Sequence, residues 1–483
     1  MRRLLPLLAL AALAVAAPAA AFTPADPLAA KQWYLQQDHA FDAWAEPPPT
    51  LAPVKVAIVD SGLDCSLPDF QGRIAGEQSF VGGDPCTDTE GHGTFIAGII
   101  AANLDTQGIV GIAYTSQLLI AKVVRPDGTI PLEAEAAAIR WAADAGAKVI
   151  NLSLGGVRDP VNPNRDTFSA REASAVAYAY AKGAVIVAAV GNGDEAFTQP
   201  WPFASYPAAL PHVIGVSALT QSGAVPDYSN RDAIFNDISA PGSGIFSTFP
   251  ATLTAQKPLC TDQGFSDCGT DDYRLPGPEG TSFAAPQVAA AAAVLLALAP
   301  TLTNSQVATI LEHTADDVNA ATGCSKCGLL RDAFSGWGRL DVAKAVALLA
   351  GPLPAPDHFE TNDDAGTLAY TLWGKARAVT ATLDYYDDPV DVYRVALAPH
   401  QRLVAKLNGS WAGARVSLTL WRPGTRQVAS SSQRSLRAAQ SALPGARQHL
   451  MFTSRARGWY YVEVKDAAPG FGPYTLSLAK TTP

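Results

Sequence analysis

Continuous apolar runs rich in Val and Ile recur along the first two-thirds of the chain, separated by stretches with helical character. Such runs are typical of strands buried on both faces of a parallel sheet. The predicted strands are VKVAIVDSG, LLIAKVV, AKVINLSLGG, GAVIVAAVGN and HVIGVSAL, and the predicted helices are GTFIAGIIAANL, PLEAEAAAIRWAADAG and SAREASAVAYAYAKG. Two of these helices end in a glycine that can cap them. The alternation predicts an α/β fold, with a doubly wound, mostly parallel sheet and helices on both faces.

The pattern changes near residue 350. Proline and glycine in the segment GPLPAPDH mark a linker, which we place at residues 350–356. Between residues 357 and 483, short strands are separated by turn residues, and they include DVYRVAL, RLVAKLN, RVSLTLW, GWYYVEV and PYTLSLA. This part of the chain is predicted to be a small C-terminal all-β sandwich. Residues 22–349 then form the α/β domain.

The segment 1–21, MRRLLPLLALAALAVAAPAAA, has a basic start, a short apolar run and a small-residue end. This is the pattern of a secretory signal peptide, with a cleavage site at Ala19–Ala21. A membrane anchor is the alternative, but the run is short and is broken by Pro6 and Pro18. We therefore expect a secreted or periplasmic protein without stable membrane insertion. The net charge of −9 argues against a nucleic-acid partner.

The six cysteines fit an exported protein. They lie as neighbours along the chain, which suggests three local disulfides, although the sequence alone does not fix the pairing. The suggested pairs are Cys65 with Cys86, Cys260 with Cys268, and Cys324 with Cys327. The CSKC segment of the last pair can also be a redox or metal motif, but a structural disulfide is favoured in an exported chain.

Ser282 stands where a long apolar helix is predicted to begin, in GTSFAAPQVAAAAA. A serine at this place can cap the helix, or it can be a nucleophile if a base and an orienting carboxylate lie nearby. Asp60 ends the first predicted strand, His92 lies between two glycines before a helix, and Asn192 follows another strand. Each feature alone is also typical of turns or structural residues. Their occurrence together, each within two residues of a glycine at a strand or helix end, points to a nucleophilic site.

Six segments together resemble the signatures of the subtilisin-like serine protease family: VAIVDSGLD, GHGTFIAGIIAA, INLSLGG, VAAVGNG, SAPGSGI and GTSFAAPQVAA. The resemblance covers roughly residues 27–345. It implies that Asp60, His92 and Ser282 form a catalytic triad and that Asn192 donates to the oxyanion. Phe283 and Phe95 depart from the Met and the second His that are common in the family, and AAVGN replaces the commoner AAAGN.

The resemblance also implies the substrate-binding segments. One lies at Gly128, Thr129 and Ile130, and the other runs through Ser153, Leu154, Gly155 and Gly156, so that a peptide is held between them as an added strand. The pocket for the residue before the scissile bond would use Gly155, Gly156 and Ser205. Because these residues are small and uncharged, we expect tolerance for large apolar or aromatic side chains. The alternative is that the glycines only form tight turns.

Calcium is the cofactor that the resemblance implies. Asp69 matches a calcium carboxylate of the family, and the loop ANLDTQGI has the length of the family's calcium loop. This loop would add the side chain of Asp105 and the main-chain carbonyls of Asn103, Gln107 and Ile109. Mixed carboxylate and carbonyl oxygens suit calcium. Solvated loop aspartates are the competing interpretation.

The ends of the chain raise two further points. DPLAAKQWYLQ resembles the start of a mature catalytic domain, so we expect no separate inhibitory prodomain after the signal peptide. The tail segments DHFETNDD, DDPVDVYRV, GWYYVEV and GPYTLSL resemble the pre-peptidase C-terminal domain. Between Val392 and Val462 there are eleven Lys and Arg residues and no Asp or Glu. This basic run is a solvated face, or it docks on the acidic catalytic domain and aids folding, or it binds an anionic surface or substrate.

The sequence thus favours a secreted, monomeric serine endopeptidase that acts on protein or peptide substrates. A narrow processing protease with a dedicated protein partner is the alternative. A binding protein built on an inactive protease scaffold is a third possibility, which the intact set of Asp60, His92, Ser282 and Asn192 disfavours.

Overall fold

The computed structural model describes most of the chain, and the predicted signal peptide, most of the linker, Cys260 and Cys268 lie outside the described residues. The described residues are 22–44, 51–193, 198–254, 279–351, 359, 362, 364–366, 369–385, 389–409, 411, 414–428, 431–468 and 470–481. Two of the three suggested disulfides are present, Cys65–Cys86 and Cys324–Cys327.

A parallel sheet of seven strands forms the centre of the N-terminal part. Its strands are β1 (Lys55–Asp60), β2 (Ile74–Ser79), β3 (Gln117–Lys122), β4 (Val149–Leu152), β5 (Val185–Ala189), β6 (Val213–Leu219) and β7 (Ile238–Pro241). Their order in the sheet is β2-β3-β1-β4-β5-β6-β7, and every adjacent pair is parallel. All carboxyl ends therefore meet at one edge, and the order reverses beside β1. The predicted doubly wound fold is confirmed.

Helices cover both faces of this sheet. They are α1 (Tyr34–Gln37), α2 (His92–Ala101), α3 (Leu132–Asp144), α4 (Ala170–Ala181), α5 (Ala251–Thr254), α6 (Thr281–Leu298), α7 (Asn304–Thr314) and α8 (Val342–Leu348). Successive residues of a strand point to opposite faces, so β1 contributes Val56 and Ile58 to one core and Ala57 and Val59 to the other. The first core contains α2 and α6, and the second contains α3 and α4.

Helix α6 is the central helix of the first core. Its length and composition match a membrane span, but 83% of it is buried inside the fold. Core helices of globular proteins meet the same description. The run of alanines allows the helix to lie close to its neighbours, and it contacts α2, β5 and β6.

Two antiparallel sheets make up the C-terminal part. The strands are β8 (Tyr370–Thr371), β9 (Ala376–Asp384), β10 (Val390–Leu397), β11 (Arg402–Gly409), β12 (Val416–Trp421), β13 (Arg437–Ser441), β14 (Arg447–Thr453), β15 (Gly458–Asp466) and β16 (Phe471–Thr481). One sheet has the order β13-β12-β15-β10-β8, and the other has the order β14-β11-β16-β9. Among the strands described in this part of the chain, only β8 pairs in parallel, with β10. Alternate residues of both sheets form a separate core, as in a β-sandwich.

Candidate active site

Asp60 and His92 are brought together at the carboxyl edge of the sheet. Asp60 is the last residue of β1, and His92 is the first residue of α2. The Nδ1 atom of His92 lies 2.8 and 3.0 Å from the two carboxylate oxygens of Asp60. An ionised carboxylate only accepts hydrogen bonds, so Nδ1 carries the proton and Nε2 is left as a base. The Asp60 side chain is 3% exposed and that of His92 is 33% exposed, so the base can reach a ligand.

The charge on the imidazole is favoured by its surroundings. Burial opposes protonation of His92, but the charge of Asp60, its hydrogen bond and the charge of Asp88 outweigh burial and raise the pKa of His92 above its ordinary value. A base of this kind stabilises the proton that it receives from a nucleophile during reaction.

Asp88 is a buried residue near His92 that sequence reasoning missed. Its Oδ1 atom accepts from the backbone amides of Glu90 and Gly91 at 3.1 and 2.9 Å. Its Oδ2 atom accepts from the amide and the hydroxyl of Thr94 at 2.9 and 2.7 Å. The carboxylate therefore caps the first turn of α2 and fixes the point where His92 leaves the loop. An acidic residue four positions before His92, near the predicted start of a helix, is the sequence feature that could have indicated this role.

Ser282 is the second residue of α6 and is half-buried. Its hydroxyl donates to the main-chain oxygen of Ser153 at 3.1 Å, and the Ser153 hydroxyl donates back to the main-chain oxygen of Ser282 at 2.7 Å. In the described part of the chain, no hydrogen bond joins Ser282 to His92. Catalytic hydrogen bonds are often long or unformed in ligand-free enzymes. A rotation about the Cα–Cβ bond of Ser282 would release its hydroxyl from Ser153.

Asn192 is held in one orientation by Thr281. The Asn192 Oδ1 atom accepts from the backbone amide of Thr281 at 3.0 Å and from its hydroxyl at 3.1 Å. The same hydroxyl accepts from the amide of Gly191 at 3.2 Å. Because both donors occupy the oxygen end, the Asn192 NH₂ group is directed away from Thr281. The N-terminal amides of a helix also lack intrahelical partners, and Ser282 has one of them. Two donors are therefore available beside Ser282.

The two aromatic departures from the family pattern lie next to each other. The rings of Phe95 and Phe283 are 4.7 Å apart between centroids, and the ring of Phe283 lies 5.6 Å from that of His92. Both phenylalanines are buried. They join the helix that carries His92 to the helix that carries Ser282.

The two segments predicted to bind substrate differ in their surroundings. Gly128 and Thr129 are exposed beyond the end of β3, where the amide of Arg125 donates to the main-chain oxygen of Thr129 at 2.9 Å, and Ile130 is half-buried. Leu154, Gly155 and Gly156 follow β4 directly after Ser153, and Gly155 is exposed. Only the second segment is placed beside Ser282 by hydrogen bonds.

The residues that lie against this second segment are closely packed. Ser205 is 2% exposed, and its hydroxyl accepts from the Asn230 amide at 3.2 Å. Gly156 and Tyr206 exchange two main-chain hydrogen bonds of 2.8 and 2.9 Å. A Cβ at Gly191 would overlap the Ser205 hydroxyl, so glycine is required there. Ser205 thus lies buried next to Gly155.

Three carboxylates lie near one another at the predicted calcium loop. Asp69 is buried, and burial together with the negative charges of Asp105 and Asp26 raises its pKa to about 7. The Oδ1 atom of Asp26 accepts from the amides of Asp105 and Thr106 at 3.1 Å each, whereas its Oδ2 atom is buried without a partner in the described part of the chain. Sequence reasoning missed Asp26, which lies far from the loop along the chain.

The chemistry of this donor set fits a calcium ion. The main-chain oxygens of Asn103, Gln107 and Ile109 accept no hydrogen bond from a described backbone amide. The Asn103 side-chain oxygen instead accepts from Arg73 Nε at 2.5 Å, so that side chain is already engaged. A divalent cation would relieve the repulsion among Asp26, Asp69 and Asp105 and would use the carbonyl oxygens.

Comparison with known proteins shows to which family the chain belongs. The sequence model described as "Subtilase family" matches residues 52–334, a span that contains Asp60, His92, Asn192 and Ser282. The chain belongs to the subtilase family. It is therefore a serine endopeptidase by family membership.

Similar proteins match part of this subtilase. The chain is 36% identical to subtilisin DY of Bacillus licheniformis over 269 residues, which cover 55% of this chain and 85% of that protein. It is 34% identical to thermitase of Thermoactinomyces vulgaris over 301 residues, which cover 62% and 93%. Among solved structures, sphericase matches with a TM-score of 0.50 and 30% identity, over 64% of this chain and 97% of that one.

Proposed function

We propose that the chain is an exported endopeptidase in which Ser282 is the nucleophile, His92 the base and Asp60 the residue that orients His92. The observation that carries the proposal is the hydrogen bonding of His92 Nδ1 to both carboxylate oxygens of Asp60. Ser282 lies in the first turn of α6. The third possibility from the sequence, a binding protein on an inactive protease scaffold, lacks support because none of these groups is missing.

The reaction begins when the Ser282 hydroxyl rotates away from the Ser153 oxygen and donates to His92 Nε2, with a peptide carbonyl bound beside it. His92 Nε2 takes the hydroxyl proton as Ser282 Oγ attacks the carbonyl carbon, and the Asp60 carboxylate stabilises the imidazolium. The oxyanion is met by the Asn192 NH₂ group and the Ser282 backbone amide. His92 then gives its proton to the leaving amine. Water then attacks the acyl-enzyme while His92 Nε2 takes a proton from it. The proton passes to Ser282 Oγ as the carboxylic acid product leaves.

A substrate would bind as an added strand. Residues 153–156 continue from β4 beside Ser282, and residues 128–130 offer the second edge. The exposed Gly155 leaves room for the side chain before the scissile bond, with Ser205 below it. Because no charged side chain is among these residues, large apolar or aromatic side chains are the proposed preference at this position.

Several features of the whole protein belong to the same proposal. Residues 1–21 act as a signal peptide for secretion or passage to the periplasm, and the mature chain works as a monomer without membrane insertion. Residues 22–349 are the catalytic domain, 350–356 the linker, and 357–483 a domain similar to the pre-peptidase C-terminal domain. The alternating burial along β10, β11 and β16 supports a sandwich for that last part. Asp26, Asp69 and Asp105 with the loop carbonyls hold calcium.

Digestion of casein and of a peptide library by the purified protein tests this function. We expect many casein fragments and a preference for Phe, Tyr or Leu before the cleaved bond. Ser282→Ala is the matched control and should give no fragments. Cleavage at one rare sequence only would replace the broad specificity by that of a narrow processing protease. No cleavage of either substrate by the folded wild type would contradict the proposal.

A further inference from the structure

The outer face of the five-stranded sheet of the sandwich carries a polar cavity that is open to solvent. Its volume is about 200 Å³. Its lining consists of Ser417, Thr419, Trp421, Val428, Arg434, Arg437, Gln440, Glu463 and Lys465. The cavity lies in the C-terminal part, whereas Asp60, His92 and Ser282 belong to the parallel sheet and its helices.

The strand registers explain why these side chains converge. On β12, Ser417, Thr419 and Trp421 alternate and therefore share one face. Thr419 pairs with Gln440 on β13 and with Glu463 on β15. Ser417 pairs with Lys465, and Trp421 pairs with Arg437. Polar and charged side chains of three neighbouring strands thus lie side by side on the face opposite the apolar core.

Glu463 forms the fixed acceptor of the cavity. Its side chain is 6% exposed, and its Oε2 atom accepts from Trp421 Nε1 at 2.6 Å. Burial raises the pKa of Glu463, although the Trp421 bond and the charges of Lys465 and Arg437 oppose this. A buried carboxyl group of this kind is held in place and can accept a hydrogen bond from a ligand hydroxyl.

The cavity has a surplus of positive charge. Arg434, Arg437 and Lys465 face the single carboxyl group of Glu463. Arg437 stacks on the Trp421 ring at 5.3 Å and donates to Gln440 Oε1 at 3.0 Å, so its guanidinium is oriented. Neither Arg434 nor Lys465 forms an ion pair with a carboxylate in the described part of the chain. Two of these cations belong to the basic run between Val392 and Val462.

These features define the chemistry of a ligand. Arg434 and Arg437 are exposed to a ligand, an anionic group would complement the cationic surplus, and arginine matches the planar geometry of a carboxylate. The hydroxyls of Ser417 and Thr419, the Gln440 amide and the Glu463 carboxyl suit a body that carries several hydroxyl groups. A volume of about 200 Å³ is smaller than the ~300–1,000 Å³ of sites for drug-sized ligands, so a single sugar-sized unit fits. A neutral or apolar ligand would leave Arg434 and Lys465 unpaired.

We propose that this cavity binds an acidic sugar residue, with Arg434, Arg437 and Lys465 around its carboxylate and Glu463 accepting from one of its hydroxyl groups. The unit comes from a free sugar acid or from an acidic polysaccharide. In either case Arg434 and Arg437 of the basic run take part in recognition, and the protease is held near an anionic carbohydrate.

Calorimetric titration of the full-length Ser282→Ala variant, which does not digest itself, tests the proposal. The ligands are D-galacturonate, neutral D-galactose and polygalacturonate. We expect saturable binding of galacturonate and none of galactose. Arg434→Gln and Arg437→Gln should each weaken galacturonate binding about tenfold or more, as for the loss of a hydrogen bond to a charged group. Tighter binding of polygalacturonate per site would identify the polymer as the source, and equal binding would identify the free acid.

Arg447→Gln is the matched control, because Arg447 is exposed in the same basic run but lies on β14 in the other sheet. It should leave galacturonate binding within about twofold, since a charge in the other sheet makes no hydrogen bond to the ligand. Arg434 is exposed, so its substitution should leave the melting temperature unchanged. Equal binding of galactose and galacturonate would overturn the proposal. An equal loss in all three arginine variants would also overturn it, because it would show a diffuse field rather than a site.

Discussion

Phe95 and Phe283 pack against each other with ring centroids 4.7 Å apart, and Phe283 also contacts the imidazole of His92. Phe95 lies one turn after His92 on α2, and Phe283 directly follows Ser282 on α6. The pair therefore sets the spacing of the two helices that carry the proposed base and nucleophile. The two rings fill a shared space between these helices.

Phe283→Ala should lower both stability and turnover. Removal of a buried phenyl ring costs roughly 3–5 kcal/mol and leaves a cavity beside His92. Phe283→Met fills most of this space and is the matched control, with a smaller loss of unfolding free energy and near-normal kcat. Urea unfolding and peptide hydrolysis measure the two effects. Equal stability of the Ala and wild-type proteins would show that the ring pair does not hold the helices.

Asp88→Asn should shift the acid limb of the kcat/KM profile to lower pH. The wild-type pKa of His92 is raised, so activity appears only as pH rises through a value above that of ordinary histidine. Loss of the Asp88 charge lowers this pKa, and the neutral base is then present at lower pH. A pH–rate profile of both proteins measures the shift.

The Asp84→Asn variant controls for a general change in charge, because Asp84 lies in the same loop and accepts from the Cys86 amide, whereas the charges that raise the pKa of His92 are those of Asp60 and Asp88. A drop in kcat with an unmoved acid limb would assign Asp88 a purely structural role.

Asn192→Ala should lower kcat by about 10²–10³ with little change in KM, a magnitude that comes from a subtilisin. Thr281→Val should cause a smaller loss of the same kind, because it removes one of the two donors that orient the Asn192 amide. Thr281→Ser retains the hydroxyl and is the matched control. Steady-state kinetics with one peptide substrate separates kcat from KM. Unchanged kcat in Asn192→Ala would remove Asn192 from the oxyanion site.

Chelation with EDTA should lower the melting temperature of the Ser282→Ala protein. An ion bound at about 100 times its Kd stabilises by ~2.7 kcal/mol. Asp26→Asn and Asp69→Asn should each reduce the difference between the calcium and EDTA melting temperatures, while Asp127→Asn, in an exposed turn, should leave it unchanged. An equal melting temperature with calcium and with EDTA would contradict the proposed site.

Much of the sheet could be predicted because β1, β3, β4, β5 and β6 are continuous apolar runs buried on both faces. The edge strands β2 and β7 were missed. β2 contains only half-buried and exposed residues, and the four residues of β7 include Ser239 and Pro241, so neither strand is a continuous apolar run. In the sandwich, β9, β13 and β14 were missed for a similar reason, since exposed polar residues interrupt their apolar positions.

The candidate site also has residues that the sequence could predict and residues that it could not. Asp60, His92, Asn192 and Ser282 could be predicted as site residues because each lies at a strand or helix end within two residues of a glycine. Asp26 could not, because its relation to Asp105 depends on how the N-terminal segment packs against a loop 79 residues away. The orienting role of Thr281 also required the structure, since hydrogen-bond direction at an amide does not follow from sequence.

The most direct test of the central claim is the reaction of the purified wild-type protein with a fluorophosphonate probe, next to Ser282→Ala and His92→Ala. The probe reacts with serines that a neighbouring base activates. The account predicts strong labelling of the wild type, none of Ser282→Ala and a large loss in His92→Ala, with the label on Ser282 by peptide mass mapping. An unlabelled but folded wild-type protein, or equal labelling of all three proteins, would contradict it.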